Sequence, residues 1–122
     1  MPPIRLVLYR EADGSVPLQH WVQQIPPKAA VKCLDRIERL AAMGYELRRP
    51  EADLLRDGIY ELRIDLQGIH YRILYFFHGN AAVVLSHGLK KERVVPAVEI
   101  DRAIGRRNLF FKNPEVHTAE LE

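Results

Sequence analysis

The sequence predicts an α+β domain: a short strand, two helices, a three-stranded antiparallel meander and a closing helix. Three observations support that expectation. Tyr60, Leu62, Ile64 and Leu66 alternate strictly with Glu61, Arg63 and Asp65, which is the period of a strand with one buried face. Residues 70–77 (HYRILYFF) are apolar on both faces, with Tyr71, Ile73, Tyr75 and Phe77 on one and Leu74 and Phe76 beside Arg72 on the other; such a strand belongs at the centre of a sheet covered on both sides. Between residues 18 and 41 the apolar positions recur at helical spacing instead.

At 122 residues the chain suits one domain spanning 1–122, since two cores would each approach the size at which folding alone is marginal. Its one cysteine, Cys33, excludes an internal disulfide framework and a Cys-rich zinc site. No apolar run reaches the roughly 18 residues of a membrane-spanning helix. The opening Met1-Pro2-Pro3-Ile4-Arg5 lacks the basic start and long apolar stretch of a secretory signal. The near balance of 18 Lys+Arg against 16 Asp+Glu, with about half the residues hydrophobic, argues against disorder. The expectation is a reduced, cytoplasmic, globular protein.

Taken in order, residues 4–10 read as a strand, with Ile4, Leu6 and Leu8 alternating against Arg5, Val7 and Tyr9. Asp13-Gly14-Ser15 turns the chain, and Ser15 is the expected N-cap ahead of Pro17 in a first helical turn. Leu18, Trp21, Val22 and Ile25 give one amphipathic helix, which Pro26-Pro27 breaks. Ala30, Val31, Leu34, Ile37, Leu40 and Ala41 form the expected stripe of a second, ending at Gly44. Cys33 and Trp21 read as core or near-core residues of this pair. Residues 45–57 are polar and proline-broken and read as a loop. Gln67-Gly68 and Gly79-Asn80 connect the meander, whose last strand covers 81–87 and ends at Gly88. Pro96 opens the final helix, with Ala97, Ile100, Ala103 and Ile104 on its apolar side. Residues 113–122, including His117 and the terminal Leu121-Glu122, read as a flexible tail.

GxGxxG, GxxxxGK[ST], HExxH and GxSxG are all absent. His70 and His78 bracket one strand, about 27 Å apart if extended, so they do not share a metal ion; no metal or other cofactor is expected. Arg72 is the anomaly, a guanidinium within the most hydrophobic strand. Two readings are open: a structural ion pair with Glu61, Asp65 or an acid of the last helix, or a phosphate-gripping arginine on the sheet floor. Arg63 on the preceding strand and His87, Lys90 and Lys91 on the following one would converge with it, with no carboxylate pair among them. Such a cationic group with one imidazole fits metal-free cleavage of a phosphodiester, the cations stabilising the phosphorane and His87 moving a proton near neutral pH. Basic residues continue through Arg93, Arg102, Arg106, Arg107 and Lys112, suited to RNA or a solvated face.

The segments DGIYELR (57–63), YRILYFF (71–77), LSHGLKKE (85–92) and PAVEIDRA (96–103), in that order and spacing, resemble the RelE/HigB superfamily of toxins from bacterial type II toxin–antitoxin systems, and most of all its phage-related, HigB-like branch. The resemblance implies a RelE-like, microbial-RNase-like α+β fold and a ribosome-dependent endoribonuclease in which the 2′-hydroxyl of mRNA attacks the adjacent phosphate. It implies a catalytic role for Arg72 and Arg63 on their strands and for the basic pair Lys90 and Lys91. His87 falls where this branch has a histidine; its proton transfer is our inference. Arg93, Arg102, Arg106, Arg107 and Lys112 would meet RNA or the ribosome. The implied partners are the ribosome with its mRNA and a cognate antitoxin, a helix-turn-helix DNA-binding protein through which alone operator DNA is bound; no membrane is involved. One departure stands out. Many RelE-type members place a catalytic tyrosine soon after the basic pair, where this chain has Arg93-Val94-Val95-Pro96 and no tyrosine beyond Tyr75. Two other functions fit the same fold: a ParE-like DNA gyrase poison, which does not need the Arg/Lys/His group, and a non-catalytic phage or regulatory binding module, which would cause no growth defect when expressed without a partner.

Overall fold

A computed structural model describes residues 4–121 of the chain. The readings made on Met1-Pro2-Pro3 and on Glu122 lie outside the described residues. The architecture is α+β, a mostly antiparallel six-stranded sheet with two helices on one face and one on the other, as a RelE-like fold requires. The strands are β1 (Arg5–Tyr9), β2 (Ala52–Arg56), β3 (Ile59–Leu66), β4 (Ile69–His78), β5 (Ala82–Lys91) and β6 (Thr118–Ala119), in the spatial order β2-β3-β4-β5-β1-β6. Among the described residues only β1 and β5 pair in parallel. The helices are α1 (Pro17–Gln24), α2 (Pro27–Met43) and α3 (Ala97–Lys112).

The double-sided apolar pattern of β4 gives two cores. Tyr71, Ile73, Tyr75 and Phe77 pack with Leu18, Ile25, Ala29, Cys33, Ile37 and Leu40 of α1 and α2. Leu74 and Phe76 face the opposite way, against Ile100, Ala103 and Phe110 of α3. Cys33 is fully buried, and burial pushes its thiol up to about 11, so it is core, as expected. Among the described residues no helix is long and apolar enough to cross a membrane.

Several elements differ from the sequence expectation. The segment 45–57 is not simply a loop: after one 3₁₀ turn at Gly44–Glu46 it forms β2, paired with β3 through the Asp57-Gly58 turn, where both residues have positive φ. Ser15 does not cap α1; its amide and hydroxyl both donate to Asp13 Oδ1, and Val16 takes the cap position. The buried line of α2 runs through Ala29, Cys33, Ile37 and Leu40, so Val31 and Leu34 are exposed. The expected tail is partly ordered. Thr118–Ala119 pairs with β1, and His117 is buried, stacked on Tyr9 with centroids 5.1 Å apart.

β5 also runs past Gly88 to Lys91, and α1 packs over the strand at Gly88. A Cβ added there would overlap the indole ring of Trp21. Gly88→Ala is therefore expected to destabilise the fold by about 1–3 kcal/mol through overpacking. Urea denaturation should show a lower midpoint with an unchanged slope.

Candidate functional site

The tight Gln67-Gly68 turn, both residues at positive φ, sets the register of β3 on β4, pairing Arg63 with Arg72, Asp65 with His70 and Glu61 with Leu74. Since Leu74 faces α3, so do Glu61, Arg63, Asp65, His70 and Arg72. The two arginines thus share a face, as the spacing predicts. That face also holds carboxylates the sequence reading did not count into the site. Arg72 Nε lies 3.3 Å from Glu61 Oε1, and its Nη1 donates to Asp65 Oδ1 at 2.8 Å and to the Tyr71 carbonyl at 2.9 Å. Arg63 Nε donates to Glu61 Oε2 at 2.9 Å, and its Nη2 reaches Asp53 Oδ2 at 3.4 Å. Asp53 is held by Arg49 at 2.8 Å. The network of side chains runs Arg49–Asp53–Arg63–Glu61–Arg72–Asp65–His70.

Burial is uneven along this network. Arg72 is 4% exposed and Glu61 2%, whereas the Asp65 side chain is 55% exposed. Two charges taken that far from water persist only as mutual partners. The 3.3 Å contact has ion-pair but not hydrogen-bond geometry, so Arg72 Nε and Glu61 Oε1 are both left without a hydrogen bond. Burial works against ionisation of Asp65, but hydrogen bonds from Arg72 and His70 outweigh it and hold its carboxyl below the ordinary range. Hydrogen bonding from Arg49 does the same for Asp53.

His87 is placed by a bulge. Leu74 pairs with His87 but Tyr75 with Leu85, so Ser86 is an extra residue and the strand's alternation shifts by one. His87 consequently points under α3, 6% exposed, with Nδ1 2.8 Å from Ser86 Oγ and Nε2 3.4 Å from Glu99 Oε1. Burial first, then the Arg106 and Arg102 guanidiniums, push its pKa down to about 3. The nearby Glu99 does not reverse this, since Arg102 engages the same carboxylate oxygen. The expected proton transfer calls for an accessible imidazole that titrates near pH 7, whereas this one is enclosed and its pKa is pushed well down.

Lys90 does not join the group either. With the alternation reset, it lies on the opposite face, its ammonium 5.9 Å from the centre of the Tyr71 ring. Lys91, in register with His70, shares the face of Arg72. The α3 cations are largely engaged within the molecule: Arg102 with Glu99, Arg106 with Glu11 at 3.0 Å, and Arg107 with the Asp57 carbonyl. Arg93 and Lys112 are exposed, without an ion pair among the described residues.

The structure therefore brings Arg63, Arg72 and Lys91 to one face with Glu61 and Asp65 between them, encloses His87 beneath α3 on that same face, and places Lys90 on the opposite one. Glu61 was readable as a possible ion-pair partner of Arg72, but its burial follows from its neighbours across the sheet. A separate concave surface between α1, α2 and β6 is lined by Leu8, Val16, Leu18, Val22, Val31 and Leu34, and holds none of these charged residues.

No curated protein matches the chain. Residues 20–108 match the profile of a family described as phage-derived protein Gp49-like (DUF891), a span that includes α2, α3's first three turns and every strand from β2 to β5. With well over half its length inside that profile, the chain belongs to the phage-derived, Gp49-like family.

Proposed function

We propose that the chain is the toxin of a type II toxin–antitoxin pair, a ribosome-dependent endoribonuclease that cleaves mRNA without a metal ion and is held inactive by a DNA-binding antitoxin. The observation that carries this reading is the cross-strand Arg63–Arg72 pair on a rigid sheet, with one buried carboxylate between the two guanidiniums. Membership of a phage-derived family and the four sequence segments support it.

In this reading Arg72 and Arg63 grip the scissile phosphate and stabilise the charge that builds on it. Glu61, sealed between the two guanidiniums, holds them in place rather than meeting the substrate. The 2′-hydroxyl gives up its proton to water as the 2′-oxygen bonds to phosphorus and the P–O5′ bond breaks. The products are a 2′,3′-cyclic phosphate and a 5′-hydroxyl end, the departing oxygen being protonated by Lys91 or water.

The test is 5′-end mapping of cellular RNA soon after the chain alone is induced in bacteria. New 5′-hydroxyl ends within translated codons are expected, reduced at least about 100-fold by Arg72→Lys, which keeps the charge beside Glu61 but loses the planar fork. Growth arrest without new ends would move the target to DNA gyrase. Neither arrest nor cleavage would favour the binding module, a second reading suggested by the near-complete burial of Arg72.

A further inference from the structure

Arg72 cannot take a phosphate while both its carboxylate partners hold it, and those partners are unequal. Glu61 is sealed in the sheet, with its side chain 3% exposed. Asp65 is half in solvent, stands next to the Gln67-Gly68 turn, and offers one oxygen, Oδ1, to both Arg72 Nη1 and His70 Nδ1 at 2.8 Å each. A carboxylate oxygen at that distance from a guanidinium occupies the position and charge that a phosphate oxygen would take. We propose that Asp65 is a displaceable stand-in for the substrate phosphate, gating Arg72 until an oligonucleotide phosphate replaces it. This rests on the reading of the chain as a phosphodiester-cleaving protein and adds the residue that sets its affinity.

The geometry defines how the exchange works. Asp65, its side chain 55% exposed, has room to rotate into water, whereas Glu61, 3% exposed, is enclosed. When it leaves, Nη1 keeps only the Tyr71 carbonyl, and the site gains one net positive charge at the open end of the face. His70, already 45% exposed, follows the carboxylate or stays as a second donor. Holding the guanidinium in an ion pair before substrate arrives also keeps it from other anions, so binding is selective for ligands that make enough further contacts to displace Asp65.

The experiment is an NMR titration of the arginine Nε–H resonances with inorganic phosphate, on the wild-type chain, Asp65→Asn and Asp65→Ser. Two variants guard against one misfolding, and the combination Asp65→Asn with Arg72→Lys locates the effect. Asp65→Asn and Asp65→Ser are expected to bind phosphate at least about tenfold more tightly than wild type at Arg72, with the gain lost on Arg72→Lys. Equal or weaker binding by both folded variants would overturn the gate. The titration needs no ribosome, so its outcome is independent of the RNA-end experiment. Cleavage in cells with unchanged phosphate affinity sinks the gate alone. Tighter phosphate binding with no cleavage sinks the nuclease reading and leaves an anion site gated by Asp65.

Discussion

Truncating Arg72 to alanine is expected to cost the fold about 3–5 kcal/mol, because it leaves Glu61 enclosed with one guanidinium where there were two. That loss is large against the roughly 5–15 kcal/mol by which domains are stable. An alanine variant that fails to act in cells would therefore be ambiguous between lost chemistry and lost fold, which is why lysine is the substitution for the cellular assay. The stability effect has its own test. Removing both charges, Arg72→Met with Glu61→Gln, should cost clearly less than the sum of the two single changes, since neither partner is then left alone. Chemical denaturation of the four proteins gives the coupling directly. Additive losses would mean that the pair is not a unit and that Arg72 is held chiefly by Asp65 and the Tyr71 carbonyl.

What the sequence made legible was whatever follows from local periodicity. The alternation of Tyr60, Leu62, Ile64 and Leu66 and the two-faced pattern of β4 put both strands in place, and the Gln67-Gly68 turn fixed the register that sets Arg63 opposite Arg72. β2 was hidden because Pro50 and the charges of 45–57 read as a loop, yet Asp57-Gly58 is itself a favoured hairpin turn and was the available signal. On α2 the error was one of phase. Several apolar stripes fit the helix, and only packing against the sheet chooses Ala29 and Cys33 over Val31 and Leu34.

The candidate site was legible to the same depth. Strand alternation gives faces correctly up to Leu85, and a single extra residue at Ser86 reverses every assignment beyond it. Without the bulge His87 would face α1 and α2; with it, His87 lies under α3, Gly88 meets Trp21 and Lys90 lies over Tyr71. The carboxylates were visible as possible ion-pair partners of Arg72. That one is sealed and the other half-exposed depends on what covers each, which residue spacing does not contain.

The enclosed His87 makes a distinct expectation for acid. In the unfolded chain its imidazole takes a proton near pH 6.5. In the folded chain burial, Arg106 and Arg102 delay this to about 3. The folded state binds fewer protons in between, so the stability tied to neutral His87 is complete above about pH 6.5 and declines as the pH falls toward 3. Between pH 6.5 and 4.5 the loss is roughly 2–3 kcal/mol, at about 1.4 kcal/mol per pH unit. Asp53 and Asp65, whose carboxyls are held below their ordinary range, add to the decline only near and below pH 4, so the upper window belongs to histidine. Denaturation at pH 7.5 and 4.5 should show this drop in the wild type and a much smaller one in His87→Gln, which keeps a polar group under α3 but cannot be protonated. An equal drop in both would place the acid sensitivity elsewhere. It would also reopen His87 as a titrating group, because an imidazole that takes its proton near its ordinary pH in the folded chain is one that solvent, and therefore substrate, can reach. A drop confined to the wild type keeps His87 neutral at physiological pH and leaves the 2′-hydroxyl proton to water rather than to this imidazole.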